Sequence, residues 1–487
     1  MQIDRDLFFA RRLGLGLRIG EVLPAQPREW AMDQLRNVPP IDFFGQDGKS
    51  IIDQLPPSAK LVENFKDAGK EWEHFKTKEN ELYAHGKGLS ASEFDHRGYI
   101  DVYREYLATP RWRDCLAKTL TAVNGSSPVF ERFWMFWINH FTVSTLVSQV
   151  ALYLGPHMRG MRKHMTGSFE DLLFDAVANP AMLLYLNNDI STGPHAYAAS
   201  RDKEHHDLNE NLGRELLELY TMSPEVGYTQ RDVIESTLIL TGWALYAGPV
   251  SYGGFSVNAP YGTYFEWRRH EPGARNIFGK TYKQIGTGEN QLREFIRDLA
   301  RHPATVRHIS FKLARHFIAD EPPSDSVDRI SKVFSDTGGS LIATHSAVVE
   351  EVLAKAESHS KMLTPENWLI QCYRMTGAPV PLNIQYEGKE SVVDVFKELG
   401  QTFDECPQPN GYSDLKADWL SKEMLDRRVR QAYRIGQSSR GLSAQALGDY
   451  AARLAGEDSP LVALVRRAES VPDAVALLLA SPQFLKM

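Results

Sequence analysis

The chain has 487 residues, with 55 basic and 62 acidic side chains and a formal charge of −7. At 43% apolar and 24% charged residues it reads as a globular protein long enough to bury a core without disulfides or metals. Its mild acidity argues against a nucleic-acid partner, because phosphate recognition needs a basic surface.

The N-terminal run MQIDRDLFFARRLGLG has acids where a signal peptide would be basic, so the chain as given is expected to stay in the cytoplasm. Residues 44–60 form a Gly/Pro-rich connection. Helical patterns follow near 100–122, 128–152, 168–186, 206–222 and 230–243, with Pro128 and Thr229 as start signals. The nearest approach to a membrane span, 143–154, is broken by Ser144, Ser148 and Gln149. Residues 244–288 are rich in Gly, Tyr and Pro and predict an ordered loop or β-ribbon inserted between helices. Further helices are expected at 290–301, 303–318, 325–334, 340–355, 414–434, 444–455, 460–468 and 472–481. Prolines at 379, 381, 407 and 409 break the pattern over 377–413. The expected architecture is therefore mostly α: a large multi-helical domain over 1–376 carrying the 244–288 insertion, and a C-terminal helical part over 377–487 packed on it. Cys115, Cys372 and Cys406 are isolated, which excludes a disulfide framework and a thiolate zinc site.

Seven motifs occur in order: FWMFWINHF (133–141), NPAMLLYLNN (179–188), NENLGRELLELYTM (209–222), YTQRDVIESTLILTGW (228–243), HEPGARNIFG (270–279), HPATVRHISFKL (302–313) and a terminal SPQFLKM. With LGQTFDECPQPNGYSDLKADWL (399–420), they resemble the bacterial family catalogued as domain of unknown function 1800. The resemblance implies a mostly helical protein, often exported, often encoded beside a phosphatase- or sulfatase-like partner, with no established reaction. Work on envelope material is the context it suggests. Tyr220 stands where members tend to have His, so a metal role at that position does not carry over.

The residues themselves point to a polar site. In HHDLNENLGRELLELYTM, Leu208, Leu212, Leu216 and Leu219 share one helical stripe, with His206, Glu210, Arg214 and Glu218 opposite. Arg214 lies four residues from both Glu210 and Glu218. Glu215 projects at the apolar margin, where burial would raise its pKa for general acid work. A solvated, salt-bridged outer face is the alternative. In FERFWMFWINHF, aromatic side chains surround the helix, so Asn139 and His140 are expected in a buried setting. His270, Glu271 and Arg275 cluster at the Pro272-Gly273 turn. On RHPATVRHISFKLARHF, His308, Lys312 and His316 are spaced by four and give a basic face, read as solvated. Signatures of P-loop, zincin and serine-hydrolase mechanisms are absent from the sequence.

The leading expectation is a hydrolase acting on a polymeric or envelope-derived substrate, its site set between 131–142 and 206–222 under the 244–288 insertion. Glu210, Glu215, Glu218, His140 and His270 would be catalytic. Arg214, Asn139, Asn209, Asn211, Trp137, Trp243 and Arg275 would hold substrate, with Tyr261, Tyr264 and Trp267 as further stacking surfaces. One alternative makes His140, Glu210 and His270 ligands of iron or zinc in an oxidoreductase. The other makes the chain a non-catalytic helical partner of the phosphatase-like neighbour.

Overall fold

Proline punctuation and serine or threonine caps set many helix starts in this chain. The computed structural model describes residues 4–41, 65–86, 108–147, 149–201, 207–245, 248–252, 255–259, 263–383, 390–402 and 404–487. The connection expected at 44–60, the start of the 100–122 helix, His206 and Tyr261 lie outside the described residues. The protein is mostly α. Its first half contains α1 (Arg5–Leu13), α2 (Pro27–Leu35), α3 (Phe65–Gly86), α4 (Thr109–Asn124), α5 (Pro128–His140), α6 (Val150–His164), α7 (Phe169–Val177), α8 (Pro180–Tyr185), α9 (Tyr197–Arg201), α10 (Asn211–Glu218) and α11 (Gln230–Leu240). The second half adds α12 (Asn290–Arg301), α13 (Pro303–Phe317), α14 (Ser324–Asp336), α15 (Leu341–Lys355), α16 (Pro365–Thr376), α17 (Val392–Glu398), α18 (Lys422–Ser438), α19 (Ala444–Ala455), α20 (Pro460–Arg466), α21 (Val471–Leu479) and α22 (Pro482–Leu485). None of these helices is long and apolar enough to cross a membrane.

Between α11 and α12 the described residues form three two-stranded antiparallel ladders. They pair Trp243–Leu245 with Thr263–Phe265, Gly248–Tyr252 with Phe255–Ala259, and Arg275–Ile277 with Lys280–Tyr282. The first packs on α8 and the last on α11, where Phe278 N–H donates to Asp232 Oδ1 at 3.1 Å. Those two ladders thus lie against α8 and α11.

The core is built around α5, which has Pro128 in its first turn and is buried on nearly every side. Phe133 stacks on Phe317 at 4.2 Å, and Trp134 donates to the Met158 carbonyl at 2.9 Å. Buried guanidinium groups tie helices together through main-chain carbonyls. Arg132 donates to Arg11 O at 2.8 Å, Arg12 to Phe317 O at 2.9 Å and Arg374 to Val123 O and Gly125 O, each at 2.9 Å. Such charge-assisted bonds offset the cost of removing an arginine from water. One apolar cluster runs through both halves of the chain and includes Val392, Ile435, Leu447, Val475 and Phe484.

Two differences from the sequence reading have simple causes. The run expected as one helix over 128–152 is two helices, because the chain turns between Phe141 and Gln149. Helix α16, which the sequence reading did not expect, is buried nearly all round, its Asn367, Gln371 and Arg374 included, so the amphipathic stripe that reveals a surface helix is missing.

Candidate functional site

A cleft of about 710 Å³ opens between the C-terminal end of α5, the turn after α10, one side of α13, and the loop around residues 410–415. Helix α13 begins at Pro303, where the His302 ring accepts the Ala304 N–H at 3.2 Å. It sends Val306, Ile309, Leu313 and Phe317 into the core. His308 and Lys312, one turn apart, fall on the adjacent side and line the cleft. The expectation of a solvated basic face is corrected here. That side of α13 is covered by α5 and the 410–415 loop, so His316 is buried and His308 and Lys312 are partly enclosed.

Lys312 Nζ donates to His140 Nδ1 at 2.8 Å, and His140 Nε2 donates to the Tyr220 carbonyl at 3.2 Å. The two contacts fix the His140 tautomer, with its proton on Nε2. Burial, then the neighbouring Lys312 and His308, hold the His140 pKa well below the ordinary imidazole value, so the ring is neutral. Burial also pushes the Lys312 amine down to about 8, against the pull of Asp414.

Behind Lys312, His316 Nδ1 donates to Asp414 Oδ1 at 2.7 Å. Lys361 Nζ donates to the Asp414 carbonyl and to Asp320 Oδ1 at 2.7 Å. Against the upward push of burial, His316, Lys361 and Lys312 hold the Asp414 carboxyl at about 2. The loop carrying Asp414 is pinned by Asn139. Its Nδ2 donates to Tyr412 O and its Oδ1 accepts Tyr412 N–H, each at 2.8 Å. Gly411 makes this approach possible: its φ is +76°, and a Cβ there would sit 2.2 Å from the Asn139 carbonyl oxygen. Gly411→Ala is therefore expected to lower unfolding free energy by about 2 kcal/mol, measurable by urea denaturation.

Of the residues given catalytic or substrate-binding roles from sequence, His140, Asn139 and Glu218 line this cleft, and the others lie elsewhere. Glu210 and Glu218 pair with Arg214 at 3.1 and 3.3 Å, and Glu210 also accepts from Gln230 at 2.8 Å. Burial, with Glu218 beside it, raises Glu215 to about 6; its nearest ionisable neighbours include Tyr185 and Tyr220. His270 does not join His140. Its Nδ1 is taken by the Thr241 carbonyl at 2.7 Å and its Nε2 by Gln291 Oε1 at 2.8 Å, so both nitrogens serve the packing of the β region. Asn209 Oδ1 accepts the Asn211 N–H at 3.0 Å and shapes the entry to α10, while Asn211 is exposed. Trp137 is fully buried and donates to His345 at 3.0 Å. Trp243 is buried between Phe174 and Phe265, and Arg275 donates to Pro272 O at 2.8 Å. These three are packing or loop-shaping groups rather than contact surfaces. Tyr264 donates to Glu266 at 2.7 Å, and Trp267 is half-exposed beside Tyr197.

The proposed metal ligands His140, Glu210 and His270 are thus each engaged in separate places. Among the described residues no group of three or more His, Cys, Asp or Glu side chains is arranged to hold a metal ion. Asp414, Lys361 and Arg315 escaped the sequence reading. The four-residue spacing of His308, Lys312 and His316, with the buried setting of Asn139 and His140, was what the sequence showed of this site.

Over residues 9–486 the chain matches the family described as protein of unknown function (DUF1800). No curated protein and no solved structure matches it.

Proposed function

The chain belongs to the DUF1800 family, whose description names no activity, and from the cleft we propose that it is a hydrolase in which Lys312 is the general base. One observation carries this reading. A lysine whose pKa is drawn down to about 8 lies on the cleft wall, hydrogen-bonded at 2.8 Å to a histidine that is itself neutral. His140 is held too far below neutrality to take a proton at working pH, so its part is to orient the amine. The free amine of Lys312 draws a proton from water, and the resulting ammonium keeps its hydrogen bond to His140 Nδ1. Arg315, which also lines the cleft, faces the negative charge that develops on the attacked group. The substrate class remains polymeric or envelope-derived material, entering an open cleft rather than a closed cavity.

A base works in its unprotonated form, so activity rises as pH climbs through the Lys312 pKa. Hydrolysis of a panel of esters, glycosides, phosphate esters and peptides, assayed between about pH 6 and 10, should show an acid limb with its midpoint near 8. A limb centred near 6 would transfer the role to Glu215, and a panel without any Lys312-dependent turnover would end the proposal. The phosphatase- or sulfatase-like partner implied by the resemblance is part of the same reading. Co-purification after co-expression should survive Lys312→Met, since that residue lies inside the cleft.

A further inference from the structure

Outside the cleft, the residues leading into α9 are bound closely to the stretch that follows Thr263–Phe265. Gly193 N–H donates to Arg269 O at 2.9 Å and Ala198 N–H to Arg268 O at 2.8 Å. Glu271, itself buried, accepts the His195 main-chain N–H at 2.8 Å and its ring Nδ1–H at 2.7 Å. Gly193 permits this closeness, since a Cβ there would lie 2.5 Å from Glu271 Oε2. These bonds fix a surface rim that carries His195, Tyr197 and Trp267.

A single exposed aromatic side chain needs no explanation, but here four side chains form one stack. Trp267 is 46% exposed and lies against Tyr197, with ring centroids 5.8 Å apart and planes tilted by 43°. Arg268 lies over the Trp267 ring at 5.1 Å and Arg201 over the Tyr197 ring at 5.4 Å. His195, with 79% of its side chain exposed, stands two residues before Tyr197. Stacking holds the guanidinium planes against the rings. Glu266 is buried beneath, accepting from Tyr264 at 2.7 Å and from Arg268 at 3.3 Å, while Glu271 holds His195. The exposed Asp207 reaches the same loop through its main-chain oxygen, which accepts Thr192 N–H at 3.2 Å. Two aromatic rings, two guanidinium groups and an imidazole thus share one rim.

That combination suits a particular ligand. One face of a pyranose is lined with C–H bonds, which pack on the negative face of an indole or phenol ring. Carboxylates carried by the sugar would meet the guanidinium groups. An apolar ligand would leave the cations unused, and a plain polyanion would leave the indole bare. Single-stranded nucleic acid also wants stacking and cations, but the chain's net charge of −7 opposes it. We propose that Tyr197 and Trp267, flanked by Arg201, Arg268 and His195, form a binding platform for an acidic polysaccharide, outside the residues that line the Lys312 cleft. The proposal rests on the polymeric substrate of the hydrolase reading and names its class: the platform holds the polymer on which the cleft acts.

Affinity electrophoresis of the full chain through gels containing polygalacturonate, dextran, poly-L-glutamate or single-stranded DNA tests it. Polygalacturonate should bind about tenfold more tightly than dextran, which lacks the carboxylate, and than poly-L-glutamate, which lacks the ring. Trp267→Ala should weaken polygalacturonate about tenfold, and Trp267→Phe much less, because an aromatic face remains. Arg201→Gln should weaken polygalacturonate and leave dextran unchanged. The comparison of polymers on the wild-type chain depends on no variant, and circular dichroism checks the folding of the others. Poly-L-glutamate, dextran or single-stranded DNA retained as well as polygalacturonate overturns the platform. Wild-type affinity in Trp267→Ala, or no retention by any polymer, does the same. Lys312→Met separates this outcome from the hydrolase proposal, because it should abolish turnover and leave polygalacturonate affinity unchanged. Retention without Lys312-dependent turnover sinks only the hydrolase; turnover without retention sinks only the platform.

Discussion

Lys312→Met is expected to cut turnover by roughly 10²–10⁴-fold, the usual worth of a positioned general base, while the chain stays folded. Methionine fills the space of the lysine stem and cannot carry a proton. Two stability effects oppose each other. His140 Nδ1 loses its donor, which costs about 1–3 kcal/mol for a buried acceptor. The substitution also removes an amine whose folded pKa, about 8, lies below its value in the unfolded chain. Such a group costs stability while it is protonated in both states, and the cost fades as pH rises through the folded pKa. Replacing it therefore recovers stability at neutral pH, and the melting temperature should move little. Lys312→Arg is the sharper control: it keeps the positive charge but cannot give up a proton. Full activity in that variant would show that Lys312 binds rather than transfers protons. Circular dichroism and steady-state rates on the same preparations supply both readouts.

Glu131→Ala is expected to destabilise the protein by about 3–5 kcal/mol, because it strands a buried guanidinium. Glu131 and Arg162 are both buried, and they meet through two parallel hydrogen bonds of 2.6 and 2.7 Å. Arg162 is also packed over Phe130 at 4.7 Å and Trp134 at 4.6 Å, so it has no short route to water. The double variant Glu131→Met, Arg162→Leu should recover most of the loss, since an apolar pair of similar volume no longer leaves a charge alone. Urea denaturation of the single and double variants measures both. A loss under about 1 kcal/mol for Glu131→Ala would mean that the arginine finds another partner.

How much of this was legible depended on whether the informative contact was local. Helix α5 could be read directly: Pro128 starts it, and its aromatic side chains leave no polar face, so burial of His140 followed. The cap of α11 was equally plain, with Thr229 accepting a backbone N–H from the third helical residue. The site resisted the same logic. The spacing of His308, Lys312 and His316 was visible, but a polar stripe opposite Val306, Ile309 and Leu313 normally faces water. Here it faces a wall supplied by distant sequence. Asp414 and Tyr412 lie in a stretch punctuated by proline and glycine with no helical or strand period, and nothing local connects them to α13. The leucine-backed acidic helix misled in the opposite direction. Its charges are dense because Arg214 bridges two glutamates along its own surface, with Gln230 of α11 bonded beside them.

The two-way hydrogen bond between Asn139 and the backbone of Tyr412 joins positions 273 residues apart. During synthesis, therefore, the complete cleft cannot exist on the emerging polypeptide until the ribosome has passed well beyond residue 412. Everything made earlier must wait with Lys312 and His140 uncovered. The final closure is a long-range event of the kind that slows folding, and a nascent chain halted before it would be largely helical and would lack this hollow.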